Sequence, residues 1–299
     1  MGGPATCDPN TTSCPPATSS QPAGPSLKKQ WDLTDPPPLG SGNNEKAKKF
    51  VDDFKGAIEP VKQCLLYTKV NAEKPKHDEM VGKRDAIYNQ FPSKLAEINN
   101  DEAKADSISR PFVDGARMLA GDANVLKSKT EASLKAWQAK EPSYNKSVQE
   151  IEELEKWDTK EEYKTLRNSS NEILAATNEN KYDEAVKRLA QLQTNLKPVH
   201  DEYKKQKAAK EKYDPALQSL QPRLTKALEP KFKSLSPKRD ELTGIQTKME
   251  TSAQGKNYVV ALETLHQLAP KVDACLVEVD KLTKQKEAYD AVWARVKPR

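Results

Sequence analysis

Apolar residues recur at steps of three and four along most of this chain. In the first clear run, Ala47, Phe50, Val51, Phe54, Ala57, Ile58, Val61 and Leu65 follow one another at that spacing. Side chains three and four apart share one face of an α-helix, so the run predicts an amphipathic helix, capped by Asn43 or Asn44 and ending near Val70, with Pro60 as a place for a kink. A second helix is expected from His77 or Asp78 to Phe91 with Met80, Ile87 and Tyr88 as its apolar positions, then a short helical stretch from Pro92 through Leu95 and Ile98, and a turn at residues 99–102. From about Pro111 to Trp157, Phe112, Ala116, Leu119, Ala123, Leu126, Leu134 and Trp137 mark one buried side. Tyr144, Val148, Ile151 and Leu154 carry it past Pro142.

The rest of the chain reads as a repeat of itself. Residues 160–223 laid over 236–299 agree at 14 of 64 positions, at a constant offset of 76. Tyr182 pairs with Tyr258, Ala185 with Ala261, Leu189 with Leu265, Leu192 with Leu268 and Tyr213 with Tyr289; Trp137, 76 residues before Tyr213, marks a fainter upstream copy. Agreement spaced like a helix face is the mark of an array whose units bury their apolar faces on their neighbours. Each unit is expected to be a shorter helix, a tight turn and a longer helix: 159–177, a turn at Asn178–Asn180 and 181 onward, then 237–253, a turn at Gln254–Lys256 and 257–296. Trp137, Tyr182, Ala185, Tyr213, Tyr258, Ala261 and Tyr289 are expected to pack where these helices meet, the two alanines allowing close approach. Pro215, Pro222, Pro230 and Pro237 fall in quick succession, so 215–237 should be kinked or hold a helix end and a fresh start, with Ser236-Pro237 as cap and first turn. The predicted fold class is all-α, an elongated antiparallel helical bundle or array with a helix-pair repeat of about 76 residues; a spectrin-like rod of three-helix units fits the same pattern.

Residues 1–42 are rich in Pro, Thr, Ser and Gly and carry no helical spacing. They read as a disordered or extended tail, with a polyproline character near Pro36–Pro38. Trp31 and Leu33 are its isolated apolar residues, expected either to dock loosely or to recruit a partner. The chain thus divides into a tail (1–42), an N-terminal helical bundle (43–158) and two tandem repeats (159–299).

Composition narrows the chemistry. Only 11 of 299 residues are glycine, and charged residues make up 31% of the chain in runs of alternating sign such as 146–164 and 204–214. Alternation suits solvated helix faces, whereas a nucleic-acid footprint is one-signed and clustered, and the net charge is only +5. Nucleic-acid binding is therefore not expected. The three histidines, His77, His200 and His266, stand far apart without a metal-ligand neighbour, and paired carboxylates such as Glu152-Glu153 and Glu161-Glu162 belong to the alternating runs. Phosphate-binding glycine loops, nucleophile elbows and zinc-protease motifs are absent from the sequence. Cys64 and Cys275 sit on apolar faces as buried thiols, while Cys7 and Cys14 could close a small disulfide loop in the tail. No catalytic residue, cofactor or metal is expected, nor a transmembrane segment or a signal peptide of the usual kind.

The runs 134–154, 210–224 and 286–299 share an aromatic residue followed by a heptad-like apolar march. In this they resemble helical repeat segments of large bacterial secreted proteins and toxin-type effectors, over about residues 110–299. The resemblance implies a delivery or interaction module, cytoplasmic or exported by a secretion machine. It also implies an active domain beyond Arg299, where the register stops in mid-pattern. The expected function is a non-enzymatic helical scaffold with protein partners. A coiled-coil adaptor or structural subunit that assembles with other helices is the alternative.

Overall fold

The computed structural model describes residues 31–296. Among them are seven α-helices and no strand. They are α1 (Glu45–Asn71), α2 (Lys74–Asn100), α3 (Ala105–Trp157), α4 (Glu161–Asn178), α5 (Tyr182–Leu228), α6 (Ser236–Gln254) and α7 (Tyr258–Val296); short 3₁₀ turns at Glu102–Lys104 and Lys233–Leu235 precede α3 and α6. The chain is all-α, as its apolar periodicity predicts.

One difference from the sequence reading concerns proline: α2 is one helix that runs through Pro92, where a break was expected. The helix end and fresh start expected within 215–237 are present, α5 running through Pro215 and Pro222 and ending at Leu228. The interruption falls between Leu228 and Ser236, and Pro237 takes the first turn of α6. The eight prolines inside helices (Pro60, Pro92, Pro111, Pro142, Pro198, Pro215, Pro222 and Pro270) all stand at solvent-exposed positions. A proline removes the hydrogen bond to the carbonyl four residues back, on the same face of the helix. On an outer face water can satisfy that carbonyl and the helix can bend towards the core, so the inner apolar stripe continues unbroken.

The described residues form two compact units, divided between residues 132 and 133. The core of the first is built on four phenylalanines from α1, α2 and α3. Phe54 stacks on Phe91 at 4.5 Å between ring centroids, Phe50 stacks on Phe91 at 5.0 Å, and Phe112 meets Phe54 at 5.4 Å. Asn44 caps α1 as predicted: its side chain accepts from the Ala47 N–H at 2.8 Å and donates to the Ile98 carbonyl at 3.2 Å.

The reading of residues 1–42 as a disordered tail needs correction for its last part. Leu33 is buried in the first core, and Trp31 packs against it. The Trp31 indole N–H donates to Asn89 Oδ1 at 3.1 Å, and its carbonyl accepts from the buried guanidinium of Arg84 at 2.5 Å. Arg84 is held in turn by Asp85, at 2.6 Å. Just before α1, a Cβ on Gly42 would lie 2.3 Å from the Lys48 nitrogen, so only glycine lets the segment pass this close to the helix. The physical reason for the docking is that α1 and α2 leave an apolar rim that Trp31 and Leu33 cover. Cys7, Cys14 and the remainder of the tail lie outside the described residues.

In the second unit, the rest of α3 packs with α4 and the first part of α5 around Trp137, Ile151, Leu154, Leu166, Ile173, Leu189, Leu192 and Leu196. The rest of α5 packs with α6 and α7 around Tyr213, Leu220, Leu224, Leu242, Met249, Leu265, Leu268, Val272 and Val279. The turns from α4 to α5 and from α6 to α7 share one hydrogen-bond pattern. Among the described residues, Asn180 (φ 59°) and Lys256 (φ 56°) are the two non-glycine residues in the left-handed region. Lys181 N–H donates to the Ala176 carbonyl and Asn180 N–H to Thr177; 76 residues on, Asn257 donates to Ser252 and Lys256 to Ala253. This is a helix end closed by a left-handed residue, which satisfies carbonyls that the helix leaves without partners.

Candidate interaction surface

Six of the seven residues expected to pack between helices are enclosed to some degree. Ala185 and Ala261 are fully buried, Trp137 and Tyr213 are buried, and Tyr182 and Tyr258 are half-buried. The two half-buried tyrosines stand at the same place in their helices but have different neighbours. The Tyr182 hydroxyl donates to Asn180 Oδ1 at 2.7 Å. The Tyr258 ring lies 5.7 Å from Trp157 and 5.8 Å from Tyr213, with Lys210 Nζ 5.3 Å over its face.

Tyr289, the seventh, is not packed. It is 64% exposed, and with it Val292, Trp293 and Val296 are exposed at 59%, 56% and 67%. The four stand at steps of three and four and form one apolar stripe on the last part of α7. Tyr289 and Trp293 stack with ring centroids 6.3 Å apart. The correction has a plain cause. Tyr213, Ala216, Leu217 and Leu220, 76 residues earlier, belong to the core closed by α6 and α7. From residue 284 to 296 every position of α7 is exposed, and no other described element covers the stripe. A line of four apolar side chains, two of them aromatic, is a surface ready to be buried, each side chain being worth about 1.5–3 kcal/mol on full burial. Lys286 and Asp290, paired at 2.5 Å, edge the stripe, and this hydrogen bond raises the Lys286 pKa.

Three further groupings of polar side chains occur. His200 on α5 is buried beneath two carboxylates of α3, with Nδ1 3.4 Å from Glu150 and Nε2 3.6 Å from Glu153. Its Nε2 makes no hydrogen bond, and its ring stacks on Tyr203 at 5.7 Å. This grouping leaves no local pattern in the sequence, because residues 150, 153 and 200 meet only through the packing of α3 on α5. A cleft of about 260 Å³ lies beside it, walled by Trp157, Tyr163, Tyr203 and Lys256 among others. Lys256 donates there to the Trp157 carbonyl and to Asp158. Burial alone would raise the Asp158 pKa, but hydrogen bonds from Lys256 and the Thr159 N–H bring it below its ordinary value. In the first unit a polar groove of about 480 Å³ between α1 and α3 mixes Lys46, Lys49, Arg110 and Arg117 with Asp53, Asp106 and Asp114.

None of these groupings joins a nucleophile to a base that could activate it. The Cys64 thiol is pushed up by burial, the opposite of an activated cysteine. Among the described residues no group of three or more His, Cys, Asp or Glu could hold a metal ion, and no helix is long and apolar enough to cross a membrane. No family model, curated protein or solved structure matches this chain.

Proposed function

We propose that this protein is a non-enzymatic helical scaffold whose task is to engage other polypeptides, and that its second unit is a short array of helical hairpins repeating every 76 residues. The observation that carries the reading is the exposed stripe of Tyr289, Val292, Trp293 and Val296, an apolar helix face with no partner among the described residues. The matching hydrogen bonds of the two turns support the array, as does the run of buried pairs Leu166/Leu242, Ile173/Met249, Leu189/Leu265 and Leu196/Val272 at the same offset. A coiled-coil adaptor that assembles with other helical proteins is the second reading, favoured by the three- and four-residue spacing of the same stripe. The setting within a bacterial secreted effector rests on the sequence resemblance alone, and nothing in the site depends on it.

The reading is tested by incubating the full chain with a complex metabolite extract and following depletion of its components. No turnover is expected. Turnover that disappears in His200→Asn or Glu150→Gln would replace the scaffold with an enzyme centred on that buried cluster. In parallel, the native chain should bind an apolar fluorescent dye, and Tyr289→Glu with Trp293→Glu should remove most of that binding at unchanged helicity.

A further inference from the structure

We infer that the cleft beside Trp157 is a binding site for a quaternary ammonium group. Packing within the second unit builds it: the end of α3 brings Trp157, the first turn of α4 brings Tyr163 and the middle of α5 brings Tyr203. Trp157 meets Tyr203 at 5.5 Å between ring centroids with the planes 73° apart, and Tyr258 at 5.7 Å and 66°. The rings thus stand as steeply angled walls rather than as a stack. Aromatic faces attract cations, tryptophan most strongly. The tyrosines around this cleft are already used in that way. Lys160 Nζ lies 5.8 Å over Tyr163, Lys207 Nζ 5.8 Å over Tyr203 and Lys210 Nζ 5.3 Å over Tyr258. Among the described residues no ammonium group lies over Trp157.

Charge also favours a cation. Of the charged residues lining the cleft, Lys256 is offset by Asp158 at 3.1 Å, which leaves Lys160 against two exposed carboxylates, Glu162 and Glu202. Lys160 is itself exposed, so it can yield the Tyr163 face to a ligand at little cost. Hydrogen bonding narrows the class. The Trp157 carbonyl already accepts from Lys256, and Gln206 Oε1 accepts from the Val259 N–H at 3.1 Å. A primary ammonium would give up hydrogen bonds to water that these groups do not replace, whereas a trimethylammonium group has no N–H to strand. The volume of about 260 Å³ lies below the roughly 300–1,000 Å³ of sites for drug-sized ligands and suits a compact headgroup. Helix packing does not by itself call for these rings. At the offset of 76 the chain carries Lys233, Arg239 and Val279 in place of Trp157, Tyr163 and Tyr203. That comparison rests on the array reading above; the cleft stands without it.

The test uses the full chain labelled with 5-fluorotryptophan, the Trp157 resonance being assigned by Trp157→Phe. Choline is titrated in, with its uncharged isostere 3,3-dimethylbutanol and with benzoate as controls. Choline is expected to shift the Trp157 resonance saturably and to leave those of Trp137 and Trp293 unmoved. Lys160→Gln removes the internal competitor and should tighten choline binding about two- to fivefold, while Glu162→Gln with Glu202→Gln should weaken it by a similar factor. All three positions are exposed, so these variants keep the fold. A peptide carrying trimethyl-lysine, compared with its unmethylated form, decides whether the group arrives on a polypeptide or as a free small molecule. An equal response to choline and 3,3-dimethylbutanol would overturn a cation site in favour of a merely apolar cleft. Saturation by benzoate instead of choline would make the ligand an anion, and no saturable shift at Trp157 would remove the site altogether. The metabolite assay judges the scaffold reading independently of all these outcomes.

Discussion

Phe54 sits among three other aromatic rings and has no exposed surface. Phe54→Ala removes its contacts with Phe91, Phe112 and Tyr88 at once, and should cost about 3–5 kcal/mol in urea denaturation of the first unit. A loss below 1 kcal/mol would mean that the ring cluster does not govern that core. His77 offers a test with a direction in pH. Its Nδ1 lies 3.1 Å from the Thr68 hydroxyl, and burial lowers its pKa below the ordinary value of 6.5, against a smaller opposing effect of Asp78. The unfolded chain therefore binds a proton at His77 more readily than the folded one. This contribution to stability is complete above pH 6.5 and is lost as the pH falls through the lowered folded value. His77→Asn should show a smaller loss of stability between pH 7.5 and 5 than the parent chain, and parallel pH profiles would rule the idea out. Several of these residues were legible in advance: the apolar face of α1 and its Asn44 cap are local patterns. Leu33, the Arg84–Asp85 pair and His200 were not, because a side chain's burial among residues distant in the chain leaves no periodic trace near it.

At the scale of elements, the sequence marks where apolar faces lie better than where helices end. The long helices were partly hidden by their prolines, since the cost of a proline depends on whether the carbonyl it frees meets water, and spacing alone does not reveal that. The turns were more visible, because Asn178–Asn180 and Gln254–Lys256 interrupt two aligned apolar runs. Lys256 is the informative residue here. It holds a left-handed backbone conformation, and its ammonium group joins Trp157 and Asp158 to the α6–α7 turn. Lys256→Gly removes both the backbone strain and the side-chain bonds, whereas Lys256→Ala removes the bonds and keeps the strain. The alanine variant should be the less stable of the two by about 1–2 kcal/mol. Equal stabilities in chemical denaturation would show that the left-handed residue carries no cost in this turn.

For the molecule as a whole, the question is how far its cores extend along their own helices. In α7 the last buried side chain is Val279, and every residue from 284 to 296 is exposed. An isolated helix of about 12–15 residues is marginal in water, so this last stretch stays helical mainly by propagation from the covered part. It should open locally without disturbing the second core. Amides of residues 286–296 are expected to exchange with solvent far faster than those of residues 265–279. Ala288→Gly, which costs about 1 kcal/mol of helix propensity, should speed that exchange further while leaving the thermal midpoint unchanged. Exchange as slow at 286–296 as at 265–279, in a dilute chain, would mean that the stripe is already covered. A lowered midpoint in Ala288→Gly would mean that the end of α7 belongs to the cooperative core. Were the stripe to be covered by a partner, the boundary between slow and fast exchange would move past Trp293.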